Sequence, residues 1–119
     1  MAQDTITREE LSAALDRGDD LVLIEALGPM YFEDRHLPRA INIPHTEVAR
    51  LAPELLPDRD AAIVVYCANT PCPNSAVAAG ELRRLGYANV REYVEGKDDW
   101  VAAGLPTEAG PVTAGTAAN

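Results

Sequence analysis

The stretch VVYCANTPCPNSAVAAGEL, Val64 to Leu82, passes from an apolar β-branched run through a loop holding the chain's two cysteines into an alanine-rich segment of helical character. The run begins upstream as AIVVY, residues 62–66, continuously apolar as strands buried on both faces of a parallel sheet are. Downstream, Ser75 to Leu85 places Val77, Leu82 and Leu85 near one helical face, and Gly86 can end the helix. Strand, loop and helix in that order form the unit from which α/β folds are built.

The flanking sequence repeats the unit. Thr7 and Glu10 make a capping box, Ile6 and Leu11 a hydrophobic staple, and Gly18 a C-terminal stop, which predicts a helix over 7–17. LVLIE, residues 21–25, reads as a second doubly covered strand. Pro29 opens a helical turn through Met30 to Arg35, and AINI, residues 40–43, gives another strand stopped by Pro44. TEVARLAPELL has helical spacing but contains Pro53, which predicts a break there. NVREYV, residues 89–94, is the last strand, and DDWVAAG a final short helix capped by Gly104. With no Asn-Gly hairpin signals, the pattern predicts a mostly parallel sheet of four or five strands flanked by helices on both faces.

A chain of 119 residues, 47% of them hydrophobic, suits one globular domain, here residues 1–107; the small, aperiodic tail 108–119 reads as flexible. Nineteen acidic and ten basic residues leave a net charge of −9, which argues against nucleic acid or an anionic membrane as partner. No window has the length of a membrane span and no leader pattern is visible, so a cytoplasmic protein with reduced thiols is expected.

Ligands of open parallel sheets bind beyond the carboxyl ends of the strands, and Cys67 falls at such an end. A thiol with a pKa near 8.5 is only about 3% ionised at pH 7, and a shift to about 6 makes that roughly 90%. A helix N-terminus with Ser75 as its N-cap would favour such a shift. Asn69, Asn74 and Ser75 add polar groups, while Pro71 and Pro73 stiffen the loop around Cys72. On spacing alone, a buried cysteine acting as a small hydrophobe is an equal alternative for Cys67, and the better one for Cys72.

Three stretches in order resemble the single-domain rhodanese family of sulfurtransferases. YFEDRHLPRAINIP, residues 31–44, is similar to the family's E-Y-x-x-G-H-I-P-G-A-I-N-I-P; EGKDDWVAAGLP, residues 95–106, is similar to G-G-x-x-x-W-x-x-A-G-L-P; and VVYCANTPCPNS stands where the family puts its active-site loop. The resemblance implies that Cys67 takes a sulfane sulfur from a small-molecule or protein donor, holds it as a persulfide and passes it to a nucleophilic acceptor. It also implies a substrate-binding loop of Ala68, Asn69, Thr70, Pro71, Pro73, Asn74 and Ser75, with no metal and no organic cofactor.

The departures from the family are chemical. Many members have the loop C-R-x-G-x-R, whereas here the eight residues CANTPCPN precede Ser75 without Arg, Lys or Gly, which argues against thiosulfate as donor. Glu25, Ala26 and Leu27 replace D-V-R, with Glu25 keeping the carboxylate. The related dual-specificity phosphatases need an arginine at the loop's end, where Asn74 stands, so phosphatase activity is not expected. Two alternatives to sulfur transfer remain: a redox protein in which Cys72 resolves Cys67, and a catalytically silent binding module. His36 and His45 read as scaffold, Trp100 as the core anchor of the last helix, Arg83, Arg84 and Arg91 as surface charge, and Asp98 and Asp99 as first-turn carboxylates.

Overall fold

A computed structural model describes residues 4–110. Four parallel strands, β1 (Val22–Glu25), β2 (Ala40–Asn42), β3 (Ala62–Tyr66) and β4 (Asn89–Tyr93), form one sheet in the order β2-β1-β3-β4. An isolated parallel bridge between Thr5 and Glu92 extends the β4 edge without adding a fifth strand. Among the described residues, five α-helices flank the sheet: α1 (Arg8–Arg17), α2 (Pro29–Asp34), α3 (Val48–Leu55), α4 (Asn74–Arg84) and α5 (Gly96–Ala102). Among the described residues, no helix is long and apolar enough to cross a membrane.

Side chains alternate across the strands, so the continuous apolar runs feed two cores. Ile24, Ile63, Val65 and Val90 pack with Val48 and Ala52 of α3 and with Ala78, Ala79 and Leu82 of α4. Leu23, Val64, Tyr66 and Tyr93 pack on the other face with Leu11, Phe32 and Trp100, from α1, α2 and α5. Trp100 is the anchor expected of it: it is buried, its indole N–H donates to the Pro106 carbonyl at 2.8 Å, and its ring meets Tyr93 edge-on.

The capping box at Thr7 and Glu10 is present as read, and Gly18 closes α1 at φ +71°. Three other expectations change. Helix α3 continues through Pro53 to Leu55; the break falls instead near its start, where a 3₁₀ turn at His45–Glu47 leads into it. Val77 is exposed, because the small residues Ala78 and Ala79 let α4 approach the sheet on a neighbouring stripe. Glu108, assigned from sequence to the tail, pairs with His36 through two backbone hydrogen bonds of 2.8 Å each; tail residues 111–119 lie outside the described residues. His36 stacks on Phe32 at 3.8 Å, a scaffold contact. Where the early motif carries its second glycine, Arg39 takes φ +69°, a conformation that costs a non-glycine residue about 1–2 kcal/mol. Its guanidinium donates to the carbonyls of Asp19 and Leu21.

Helix α5 is tied to α1 through Asp99, which accepts two hydrogen bonds from Arg8, at 2.9 and 3.1 Å, and one from the Tyr93 hydroxyl at 2.6 Å. Tyr93 first, then Arg8, holds the Asp99 carboxyl below the usual carboxylate range. A depressed folded pKa gives stability that is present above the unfolded pKa and lost as pH falls through the folded one. Asp99→Asn is therefore expected to lower stability by about 1 kcal/mol at pH 7, with the gap to wild type closing below about pH 4, as urea titrations at several pH values would show.

Candidate functional site

The strand order runs outward from β1 to β2 on one side and from β3 to β4 on the other, so the carboxyl ends of β1 and β3 mark the switch point where such sheets bind ligands. Cys67 lies there, directly after β3 and 1% exposed. A cleft lined by Ile63, Asn89 and Arg17 among others opens at the opposite end of the strands, away from both cysteines.

From Cys67 to Pro73 the chain makes a turn closed by the Cys72 N–H donating to the Asn69 carbonyl at 3.1 Å. Helix α4 begins at Asn74, and its N-cap position is Pro73, which makes no side-chain cap. Ser75 is therefore not the N-cap expected from sequence. It sits inside the first turn, 1% exposed, and its hydroxyl donates to Glu92 Oε2 at 2.5 Å. The loop side chains divide accordingly: Ser75 and Cys72 approach Cys67, Asn69 turns away to donate to Asp98 Oδ2 at 3.2 Å, and Ala68, Thr70, Pro71, Pro73 and Asn74 shape the backbone.

The electrostatics of Cys67 are the reverse of the sequence expectation. Burial pushes the Cys67 thiol up, its hydrogen bond to Cys72 adds to that, and its contacts with the Ser75 hydroxyl and backbone N–H only partly offset both. The Sγ of Cys67 is 3.4 Å from both the Cys72 carbonyl and Ser75 Oγ. Burial also opposes ionisation of Cys72, but hydrogen bonds from the Cys67 thiol and from the N–H groups of Ala68 and Asn74 outweigh it and bring that thiol below its ordinary value. Cys72, the more accessible of the two, is thus the readier to ionise, because desolvation costs less there.

Beneath the loop lies a buried polar group of which sequence reading found one member. Glu25, fully buried at the end of β1, accepts from the Tyr66 hydroxyl at 2.7 Å and from Lys97 Nζ at 3.0 Å. Burial raises the Glu25 carboxyl despite both partners, and burial beside Glu25 raises the Tyr66 phenol. Lys97 also donates to the carbonyls of Tyr31 and Arg35 at the end of α2, where a helix favours a cation. Asn42 binds the carbonyls of Glu25 and Leu27, fixing the β1 end of the switch point. Lys97 and Glu92 carried no sequence signal for these roles; a lysine buried in such a chain shows itself only once its partners converge.

The first turn of α5 straps the loop. The Lys97 and Asp98 N–H groups donate to the carbonyls of Cys67 and Ala68, each at 2.8 Å. This approach requires Gly96 at φ +75°: a Cβ there would lie 2.6 Å from the Cys67 oxygen and 2.9 Å from Asn69 N.

Comparisons with known proteins agree with this arrangement. The Rhodanese-like domain family model matches residues 7–103. The chain belongs to the rhodanese-like family. It is 36% identical over 108 residues to an HTH-type transcriptional regulator of Mycobacterium tuberculosis, covering 91% of this chain and 46% of the regulator. It is 35% identical over 85 residues to an adenylyltransferase and sulfurtransferase of Candida albicans, covering 66% of this chain and 19% of that protein. This rhodanese-like chain thus spans less than half the length of these curated relatives. Among solved structures, a thiosulfate sulfurtransferase from Pseudomonas aeruginosa superimposes with a TM-score of 0.81 at 25% identity, over 92% of this chain and 21% of that one. A Bacillus halodurans protein gives 0.82 at 22% identity, over 88% and 76%, a likeness of fold.

Two outcomes follow for the rhodanese-like site. Lys97→Met leaves Glu25 buried without its cation and should cost about 3–5 kcal/mol by urea denaturation, while Glu25→Gln combined with Lys97→Met should recover part of that loss. Gly96→Ala should pull the α5 strap off the loop, changing the alkylation rate of Cys67 and lowering the melting temperature together.

Proposed function

We propose that this rhodanese-like chain is a sulfurtransferase that carries sulfane sulfur as a persulfide on Cys67. The observation that carries the reading is the position of Cys67 Sγ: at the switch point, 3.4 Å from Ser75 Oγ and within reach of the Ser75 N–H, inside the family's loop. In the loading step the Cys67 thiolate attacks the outer sulfur of a donor R–S–SH. The donor's S–S bond breaks, R–S⁻ leaves, and Cys67–S–SH forms. An acceptor thiolate then attacks the outer sulfur and releases Cys67.

The loop also bears on the class of donor. It supplies no cationic side chain, and the cation beneath it, Lys97, is already engaged by Glu25 and two carbonyls. A doubly charged thiosulfate has no partner here, so the preferred donors and acceptors are thiol persulfides and thiols, on small molecules or on proteins.

The nearness of Cys72, whose carbonyl lies 3.4 Å from Cys67 Sγ, favours a second, linked reaction. The Cys72 thiolate can attack the inner sulfur of Cys67–S–SH, breaking that S–S bond, releasing HS⁻ and forming a Cys67–Cys72 disulfide.

Incubation with glutathione persulfide and intact-mass analysis should show one added sulfur, mapped to the Cys67 peptide and absent in Cys67→Ser, with thiosulfate loading at least tenfold slower. Wild type should then relax to a Cys67–Cys72 crosslink that Cys72→Ser cannot form. No adduct from any persulfide donor overturns the reading in favour of a silent binding module.

A further inference from the structure

A thiol 1% exposed cannot hand its proton to bulk water directly, and ionising it alone would leave a bare charge in a dry site. The structure offers another route. Cys67 Sγ stands 3.4 Å from Ser75 Oγ, and the Ser75 hydroxyl donates to Glu92 Oε2 at 2.5 Å. Ser75 is itself 1% exposed, so solvent does not compete for its hydroxyl. Glu92 lies on β4 on the same face as Val90, which packs with α4, and this directs its carboxylate at the first turn of that helix. Its backbone is pinned on both sides: Glu92 N–H donates to the Asp4 carbonyl at 2.8 Å, and Ile6 N–H donates to the Glu92 carbonyl at 3.1 Å.

We propose that Glu92, acting through Ser75, is the proton acceptor that activates Cys67. The Cys67 S–H bond breaks as its proton moves to Ser75 Oγ, while the original Ser75 O–H proton moves to Glu92 Oε2. Serine ends neutral, the carboxylate becomes a carboxylic acid, and the thiol becomes a thiolate. One negative charge is present before and after, so activation creates no new charge in the buried site. When the thiolate attacks a persulfide donor, R–S⁻ departs and the proton held on Glu92 can return along the same path to give R–SH. Glu92 is a positioning and proton-holding residue here, since Ser75 lies between it and the sulfur.

The groups around this carboxylate are few in kind. Helix α4 presents Ser75, and the loop presents Cys67 and Cys72, the latter close enough to feel the Glu92 charge. The N-terminal segment brings Asp4, whose carboxylate lies 3.9 Å from Arg83, and the opposite face of β4 carries Arg91 and Tyr93. A merely electrostatic role for Glu92 has the opposite sign from a relay. A nearby negative charge opposes thiolate formation, so removing it would make Cys67 more acidic and faster to react at neutral pH.

The relay rests on the reading of Cys67 as nucleophile, but it can be tested without any sulfur donor. Alkylation of Cys67 by iodoacetamide is followed from pH 5 to 9 in the Cys72→Ser background. The expected result is that Glu92→Gln and Ser75→Ala each slow alkylation at pH 7 by about tenfold or more. Glu92→Gln should also change the shape of the profile, moving the rise in rate to higher pH as for an unassisted buried thiol, whereas a simple packing defect would scale the rate equally at every pH. Glu92→Asp should restore part of the rate. Unchanged or faster alkylation in Glu92→Gln overturns the relay, and Ser75→Ala decides the matter if Glu92→Gln does not fold by circular dichroism. Loss of the relay with normal persulfide loading condemns this inference alone, while a working relay in a protein that never loads sulfur condemns the sulfurtransferase reading alone.

Discussion

A carboxylate that no solvent reaches has to be answered by the protein itself, and the answer given to Glu25 organises the carboxyl end of the sheet. The Tyr66 hydroxyl comes from the adjacent strand, and the Lys97 ammonium from the last helix. The same ammonium closes the carbonyls at the end of α2. Three elements are thereby drawn to one point beneath the loop. With Lys97 so fixed, its own backbone N–H and that of Asp98 meet the Cys67 and Ala68 carbonyls, and the loop takes its path from them. Such a cluster is valuable less for net stability, since ion-pair burial returns little of its desolvation cost, than for the single geometry it permits.

The loop above it separates two thiols by environment. Cys67 is enclosed between the strand end and Ser75, whereas Cys72 rides on a turn braced by prolines and keeps partial contact with water. Desolvation and hydrogen bonding consequently shift the two thiols in opposite directions.

Much of this was legible in the chain itself. The continuous apolar runs at 21–25 and 62–66 read as strands covered on both faces, and the Thr7–Glu10 box and Trp100 announced their roles directly. Local signals failed where long-range packing intervened. Ser75 reads as a cap because serine before an alanine run usually is one; Glu92, seventeen residues away, claims its hydroxyl instead. Lys97 looks like a solvated first-turn lysine until a strand end and a helix end converge on it. The Cys67 thiol follows the same rule. Helix position favours the anion, but enclosure by residues distant in sequence costs more.

Lys97 is the only lysine in the chain, and it is 9% exposed. Acylating reagents and amine-directed crosslinkers therefore find no freely accessible lysine side chain on the folded surface. The rate at which Lys97 does react reports opening of the layer beneath the cysteine loop, which makes this one amine a built-in gauge of that layer's local unfolding.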